Sequence, residues 1–495
     1  CEFLTTGHIQ DHQALLEQLP DGLLELLNVP GLGPKTIRNL WEHAGVESIA
    51  DLEQAIADDA LGDVPRLGKK TIANIADSIE FMKKAGERMP IGRALPLAER
   101  LIEHLRAKGG VGQVEYAGSL RRGRDTVGDI DLLATCDDPA GLIEHFQSLD
   151  DVDKVLLAGD TKCSLRLGLG MQVDLRVVPT EAFGAALMYF TGSKEHNVTL
   201  RERAIKSGMR LNEYGLFPDD GQDTPPQDRG ITPVAAATEH DIYAALEVPF
   251  HPPQLREDRD ELDSVPPLVT IEDIKAELHA HTTASDGHLS LKELVAEAKR
   301  RGFHTLAVTD HSRSSVQANG LDEDRLRRHI DAIHEIDAAT KGIRVLAGSE
   351  VDIHADGSLD YDDKLLAELD IVVASPHASL KQDPAKATAR LVAAIAHPLV
   401  HIIGHPTGRI IGRRAGLSPD LHALIEAALE HDTVLEINAN PQRLDLRDIH
   451  VRAATDAGCL LAINTDAHTD THFDFLRYGV ITARRGRCTA ADCVN

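Results

Sequence analysis

Gly118-Ser119-Leu120-Arg121-Arg122, followed by Gly128-Asp129-Ile130-Asp131, is the stretch on which the reading of this chain turns. Residues 130–135 form a short apolar run with strand character, so Asp129 and Asp131, two positions apart, project from one face. A second apolar run, 173–178, carries Asp174. Three carboxylates gathered on one sheet repel one another and raise their own pKa values unless a cation neutralises them. Two divalent ions about 3.5 to 4 Å apart would do so, and would clamp the attacking and leaving oxygens of a phosphoryl displacement. Upstream, Gly118-Ser119 sits at a strand-to-helix junction, where backbone N–H groups, a hydroxyl and Arg122 can hold phosphates. An isolated Asp-x-Asp is usually a solvated strand edge; Gly-Ser upstream and Asp174 downstream weigh against that here.

Working outward, strands at 114–117 and 165–169 join the first two in an α+β domain that begins near Arg93. Ahead of it lies a repeat: Val29-Pro30-Gly31-Leu32-Gly33-Pro34-Lys35-Thr36-Ile37 returns as Val64-Pro65-Arg66-Leu67-Gly68-Lys69-Lys70-Thr71-Ile72. Each copy is a glycine-containing turn between an apolar helix end and an amphipathic helix. This resembles the helix-hairpin-helix, whose glycines let backbone N–H groups approach a DNA phosphate. A plain helical hairpin is the alternative, and the repetition favours phosphate contact by Gly31, Gly33, Lys35, Gly68 and Lys70. Arg66 replaces Gly31 in the second copy and weakens its case.

The Gly-Ser and three-aspartate pattern continues through Tyr189-Phe190-Thr191-Gly192-Ser193 and Leu211-Asn212-Glu213-Tyr214-Gly215-Leu216. Over residues 21–217 it resembles the nucleotidyltransferase fold, and within it the family X DNA polymerases related to polymerase beta. The resemblance implies that Asp129 and Asp131 bind two Mg²⁺ (or Mn²⁺) ions. Asp174 would bind the catalytic one and help activate a primer 3′-hydroxyl. Gly118, Ser119, Arg122 and Gly128 would border the incoming triphosphate. Tyr189, Phe190, Thr191 and Gly192 would form the sugar pocket that disfavours a 2′-hydroxyl, although core packing is the plain reading of the two aromatics. Asn197 and Arg201 would approach the nascent base pair. The implied partners are gapped or primed DNA and deoxynucleoside triphosphates. The family usually begins with a helical domain bearing a Schiff-base lysine, whereas about twenty residues precede the first hairpin here. Residues 1–20 therefore read as a remnant of that domain, and a 5′-deoxyribose phosphate lyase is not expected.

Residues 251–272 are rich in proline and charge without apolar period, and read as a linker. Beyond them, strands ending in His or Asp (276–279, 305–310, 344–348, 371–374, 401–403, 434–437 and 459–463) alternate with helical stretches. That is the pattern of a parallel β/α barrel, with chemistry at the C-terminal strand ends. The donors at those ends suit Zn²⁺, Mn²⁺ or Fe²⁺. With 25 histidines in the chain many must be bystanders, among them His334, His422 and His450. The order His-x-His, Asp, Asp-His, Glu, His, His, Asp-x-His resembles the polymerase and histidinol phosphatase (PHP) domain, a distorted barrel. Carried over, His279, His281, Asp286, His311, Glu350, His377, His405, Asp466 and His468 would hold up to three metals, with Asp310 orienting a neighbour. The resemblance also implies metal-dependent 3′-5′ exonuclease or phosphoesterase activity on DNA ends. The family commonly continues with a short helix after Leu476-Arg477-Tyr478-Gly479-Val480, so a loosened barrel closure is expected.

Length and composition set the frame. At 495 residues, about three compact units are expected. No run approaches the roughly 20 apolar residues that cross a bilayer, and the start lacks the basic and apolar regions of a signal peptide. Six scattered cysteines without a Cys-x-x-Cys suit a reducing compartment. A cytoplasmic monomer is the expectation. The formal net charge of −27 argues at first sight against nucleic acid, but metal-holding carboxylates count as bare charge in such a sum. Local basic stretches remain at Arg121-Arg122-Gly123-Arg124 and Lys299-Arg300-Arg301.

The expected order is multidomain: remnant 1–20, helix-hairpin-helix region 21–88, palm 89–185, thumb 186–250, linker 251–272 and PHP domain 273–495. The expected function is gap filling in base excision repair, with hydrolysis of DNA ends. A small-molecule PHP phosphatase and a non-catalytic DNA-end scaffold are the competing readings.

Overall fold

Two glycine turns launch the helices of the first unit. Gly33 caps the helix Pro34–Ala44, whose proline sits in the first turn, where a missing N–H costs nothing, and the left-handed Gly45 (φ 64°) ends it. Ser48 caps the next helix, Ile49–Ala57, by accepting from the Asp51 N–H, and Gly68 precedes a third, Lys69–Gly86. Leu26, Leu40, Leu52 and Leu61 form the core between them. The computed structural model describes residues 19–495 apart from 21, 30–31, 63, 66, 87, 169, 258, 260–261 and 263. Most of the expected remnant 1–20, and also Gly31 and Arg66, therefore lie outside the described residues.

Contacts divide the chain into two units, not three: Cys1–Glu87 with Ile410–Ala415, and Arg88–Arg409 with Gly416–Asn495. In the second unit, strand β1 (Met89–Pro90) leads into the helix Ile91–Ala107 and strand β2 (Val111–Tyr116). The short β3 (Thr126–Val127) pairs back on β1. Strands β4 (Asp129–Cys136), β5 (Val152–Ala158), β6 (Lys162–Leu167) and β7 (Gln172–Val177) complete a sheet ordered β2-β4-β7-β6-β5. Only β4 and β7 run parallel in it. Strand β5 is an exposed edge whose Asp153-Lys154 interrupts any apolar alternation, which is why its sequence did not announce it.

Helices Phe183–Thr191, Lys194–Lys206 and Glu239–Ala245 and the hairpin β8 (Met209–Asn212) and β9 (Gly215–Pro218) follow. The start of the expected linker is instead packed. Arg256 is fully buried, with Nη1 2.6 Å from Glu239 and Nε donating to the His251 carbonyl at 2.8 Å. Glu257 pairs with Arg122 and Arg485. Proline and charge content suggested solvation, but these charges are neutralised by partners distant in sequence.

The remaining strands are β10 (Ala276–Ala280), β11 (Thr305–Val308), β12 (Arg344–Asp352), β13 (Ile371–Ser375), β14 (Ile402–Ile403), β15 (Val434–Asn438) and β16 (Leu461–Asn464). All seven lie parallel in chain order. Ala276, Leu278, Ala307, Val373, Ile402 and Ala462 form one apolar cluster. The first and last strands approach each other through the Ala280–Ala467 bridge, and the Asn495 amide spans both by donating to the carbonyls of Ala276 (3.1 Å) and Ile463 (2.7 Å). The barrel is thus nearly closed, and the loosening expected past Val480 does not occur: the helix Leu476–Arg485 continues and Cys493 bridges Leu461.

The sheet and barrel form one unit because they touch through glycines and ion pairs. A Cβ on Gly92 would lie 2.5 Å from Pro441. Arg409 meets Asp125 at 3.1 Å and Arg477 meets Glu99 at 2.9 Å.

Glu239 is the buried anion between Arg121 (2.8 Å) and Arg256. Burial pushes its carboxyl up, but the two guanidiniums outweigh burial and hold it at about 2. Its contribution to stability is therefore complete above the unfolded value of about 4.3 and is lost as pH falls toward 2. Glu239→Ala leaves Arg256 uncompensated, and an equilibrium denaturation at pH 7 should show a loss of about 3–5 kcal/mol that shrinks as pH falls below about 4.

Candidate active sites

Asp131 lies directly opposite Asp174 in the parallel β4–β7 register, and Asp129 precedes it by two residues. The three predicted carboxylates are thus brought to one place. Burial first, then Asp129 and Asp174, raise Asp131 to about 7; burial and Asp174 also raise Asp129. Asp174 is held by the Ser164 hydroxyl and by the Gln172 amide at 3.0 Å. Gly118 opens the one-turn helix Gly118–Arg121 at φ +61°, and a Cβ there would lie 2.5 Å from the Asp131 carboxylate. Only glycine fits both the conformation and the space. The raised carboxyls are what a divalent cation would relieve, so the donor set fits Mg²⁺ or Mn²⁺.

Of the residues expected to border a nucleotide, Arg122 is largely buried. It donates to the Thr191 carbonyl at 2.6 Å and to Glu257 at 3.1 Å. Thr191 accepts from Arg121 through its hydroxyl at 2.8 Å. Gly192, at φ +67°, leaves room beside Arg122, and Gly128 stands near Arg88. Tyr189 and Phe190 meet edge to face with centroids 5.1 Å apart, and Arg176 stacks on Phe190 at 4.4 Å. The Asn197 amide is committed to the Tyr189 carbonyl at 2.7 Å, and Arg201 Nε to the Asn197 carbonyl at 3.2 Å. In the first unit, Gly33, Lys35, Gly68 and Lys70 are exposed, and nothing lies within 4 Å of a Cβ added at either glycine.

In the barrel, donor atoms fall into three overlapping groups: His281, Asp286, His311 and His468; His279, His281 and Glu350; and His311, Glu350 and His377. His405 joins through Glu350 at 2.8 Å, and Asp466 through His281 at 3.1 Å. All nine predicted residues converge. Glu350 is the hub, touching His279, His281, His311, His377 and His405. Among the described residues, His279 Nε2, His281 Nε2, His405 Nδ1 and Glu350 Oε2 are buried without a hydrogen-bond partner. Such atoms are costly unless a metal takes their lone pairs, so the set fits one or more divalent ions. His405 (φ +25°) and Asp466 (φ +55°) also hold left-handed backbone, a strain that clusters at functional sites.

A second layer was not read from the sequence. Glu436, fully buried, accepts from His279 Nδ1 at 2.7 Å, from the His405 N–H at 2.7 Å and from Asn464 at 2.9 Å. A carboxylate only accepts, so the His279 proton sits on Nδ1 and the Nε2 lone pair faces the cluster. Asp352 does the same for His377 Nδ1 at 2.9 Å. The available signal was a lone acid inside an apolar strand, as in Leu435-Glu436-Ile437. Asp310 was expected to orient a ligand; it braces the loop before Asp286, accepting from Thr282, Ser285 and His329.

Family models match in three places: a SAM-like helix-hairpin-helix tandem over residues 23–80, a DNA polymerase beta thumb over 186–257 and a PHP domain over 277–440. Over 500 aligned residues, all of this chain and 86% of the relative, the sequence is 38% identical to the DNA polymerase/3′-5′ exonuclease PolX of Bacillus subtilis. This chain belongs to the PHP-bearing family X DNA polymerases. This family X chain is also 26% identical over 279 residues to DNA polymerase lambda of Rattus norvegicus, covering 52% of this chain and 45% of that protein. A probable phosphatase of Tolumonas auensis is 31% identical over 205 residues, 39% of this chain and 78% of the relative. A crystal structure of Leishmania infantum polymerase beta matches 47% of this chain and 96% of its own at 24% identity, with a TM-score of 0.30.

Because Glu436 accepts from His279 Nδ1 without joining the clusters, Glu436→Gln should lower metal content or hydrolysis of a 3′ end by about 10- to 100-fold. Primer extension by the same protein should keep its wild-type rate.

Proposed function

We propose that this family X chain fills short gaps in DNA during base excision repair and processes 3′ ends with a second, independent site. The convergence of Asp129, Asp131 and Asp174 against Gly118 carries the first half of the reading. The nine-residue cluster around Glu350 carries the second.

In the palm, Asp129 and Asp131 hold the cations, and Asp174, oriented by Ser164 and Gln172, accepts the proton of the primer 3′-hydroxyl. Ser119 and the N–H groups of the Gly118 turn bind the triphosphate, with Arg122 at its edge. Tyr189 and Phe190 shape the sugar pocket, while Asn197, which donates to the Tyr189 carbonyl, and Arg201, which donates to the Asn197 carbonyl, approach the nascent base pair. In the barrel, His279, His281, Asp286, His311, Glu350, His377, His405, Asp466 and His468 are the ligands of up to three ions, and Glu436 and Asp352 hold the imidazole lone pairs inward. Bound divalent cations, Mg²⁺ or Mn²⁺ in the palm and Mn²⁺, Zn²⁺ or Fe²⁺ in the barrel, supply charge neutralisation at phosphoryl oxygens and acidify the attacking hydroxyl or water.

The glycine turns at Gly33 and Gly68 grip the DNA backbone, their open surroundings leaving room for a phosphate. Deoxynucleoside triphosphates and gapped or primed DNA are the substrates. The protein works as a monomer in the cytoplasm; no helix among the described residues is long and apolar enough to cross a membrane.

Primer extension on a one-nucleotide gap tests the reading. Asp174→Ala should reduce incorporation by roughly 10³-fold or more and leave metal-dependent hydrolysis intact. Loss of both activities would refute two independent sites, and absence of incorporation by the unaltered chain would favour a phosphatase or a scaffold.

A further inference from the structure

A cavity of about 250 Å³ opens where the palm meets the barrel, lined by Arg124, Arg259, Arg409, Arg447 and Arg485 with Asp125 and Asp448. It belongs to neither cluster described above. Gly123 forms its palm wall and Thr482 part of its barrel wall.

Among the described residues that line it, guanidiniums outnumber carboxylates. Asp125 is taken by Arg409 at 3.1 Å. Asp448 is shared by Arg485 at 2.8 Å and Arg259 at 3.2 Å. Glu257, beside the cavity, serves Arg122, Arg124 and Arg485. Among the described residues five arginines draw on these three carboxylates, the buried Asp445 also acts on Arg409, and the guanidinium of a sixth, Arg447, has no hydrogen-bond or ion-pair partner. Arg409 and Arg485 are each 5% exposed, so water screens them little. Burial lowers Arg409 below the usual arginine range despite Asp125 and Asp445. Such crowding is unfavourable without an anion, in a chain whose formal charge is −27. The helix Asp448–Asp456 also begins at the wall, and its N-cap Arg447 makes no side-chain cap bond.

We propose that this junction cavity is a phosphate-binding site, separate from the triphosphate and metal sites, for a dianionic phosphoryl group. Planar guanidiniums from both walls match phosphate oxygens in pairs. The volume falls below the 300–1,000 Å³ of typical small-molecule sites, so it takes the phosphoryl group and not a whole nucleotide. Two sources carry that chemistry: free pyrophosphate, which nucleotidyl transfer releases, and the terminal phosphate of a DNA strand.

Arg447 is exposed and outside both catalytic clusters, so its substitution should leave the fold and basal extension unchanged. Calorimetric titration of the full chain with pyrophosphate, in chelator so that no cation recruits the anion elsewhere, is one arm. Binding of short duplexes ending in a phosphate or a hydroxyl is the other. Arg447→Ala should weaken pyrophosphate binding about tenfold and Arg447→Glu by at least about a hundredfold, which identifies a free anion. A loss confined to the preference for phosphorylated ends identifies a strand terminus. If both variants stay within twofold of the unaltered chain in both arms, the cavity is not a phosphate site and the proposal falls.

Discussion

Ionisable side chains buried without enough internal partners are the constraint around which this protein is organised. In the barrel, Glu350 is almost fully buried yet touches five imidazoles, and several of the donor atoms around it lack any hydrogen-bond partner among the described residues. In the palm, three carboxylates share one end of a strand pair. Neither arrangement is favourable on its own, because burial penalises charge and like charges repel. Each is held by a rigid frame that has no such conflict: the apolar cluster of Leu278, Val373 and Ile402 in the barrel, and the buried Ile130, Leu132 and Leu175 in the palm sheet. The scaffold provides stability and the site spends it, as expected where cation binding is the function.

The layer behind the clustered imidazoles has the same logic. Glu436 and Asp352 do not reach the clusters, but each takes an imidazole proton and thereby aims the other nitrogen inward. A second set of buried charges, Arg121 and Arg256 around Glu239, joins the thumb to the Gly118–Arg121 turn. The geometry next to the three aspartates therefore depends on a residue more than a hundred positions away.

Much of this was legible in the sequence. Asp129 and Asp131 share a face because strands alternate, and Asp174 announced itself as a lone acid in an apolar run. The barrel was readable because His and Asp recur at the ends of short apolar segments. What escaped was long-range pairing. Nothing local marks Arg256 as buried, since its partner Glu239 stands on another element, and proline and charge around it suggest a solvated linker. Glu436 is an equally lone acid in an apolar strand, but its meaning appears only once His279 and His405 arrive beside it. The division into two units and not three has the same origin: the contacts of Gly92, Asp125 and Arg122 with the barrel are made between segments hundreds of residues apart.

The parallel register of β4 and β7 has one more consequence. Backbone hydrogen bonds set which residue of one strand faces which of the other, so that ladder acts as a ruler for carboxylate spacing. A slip of one position would set Asp131 beside Val173 or Leu175 and turn the acids to opposite sides of the sheet. The placement of the Cα atoms from which these carboxylates project is thus gauged by main chain.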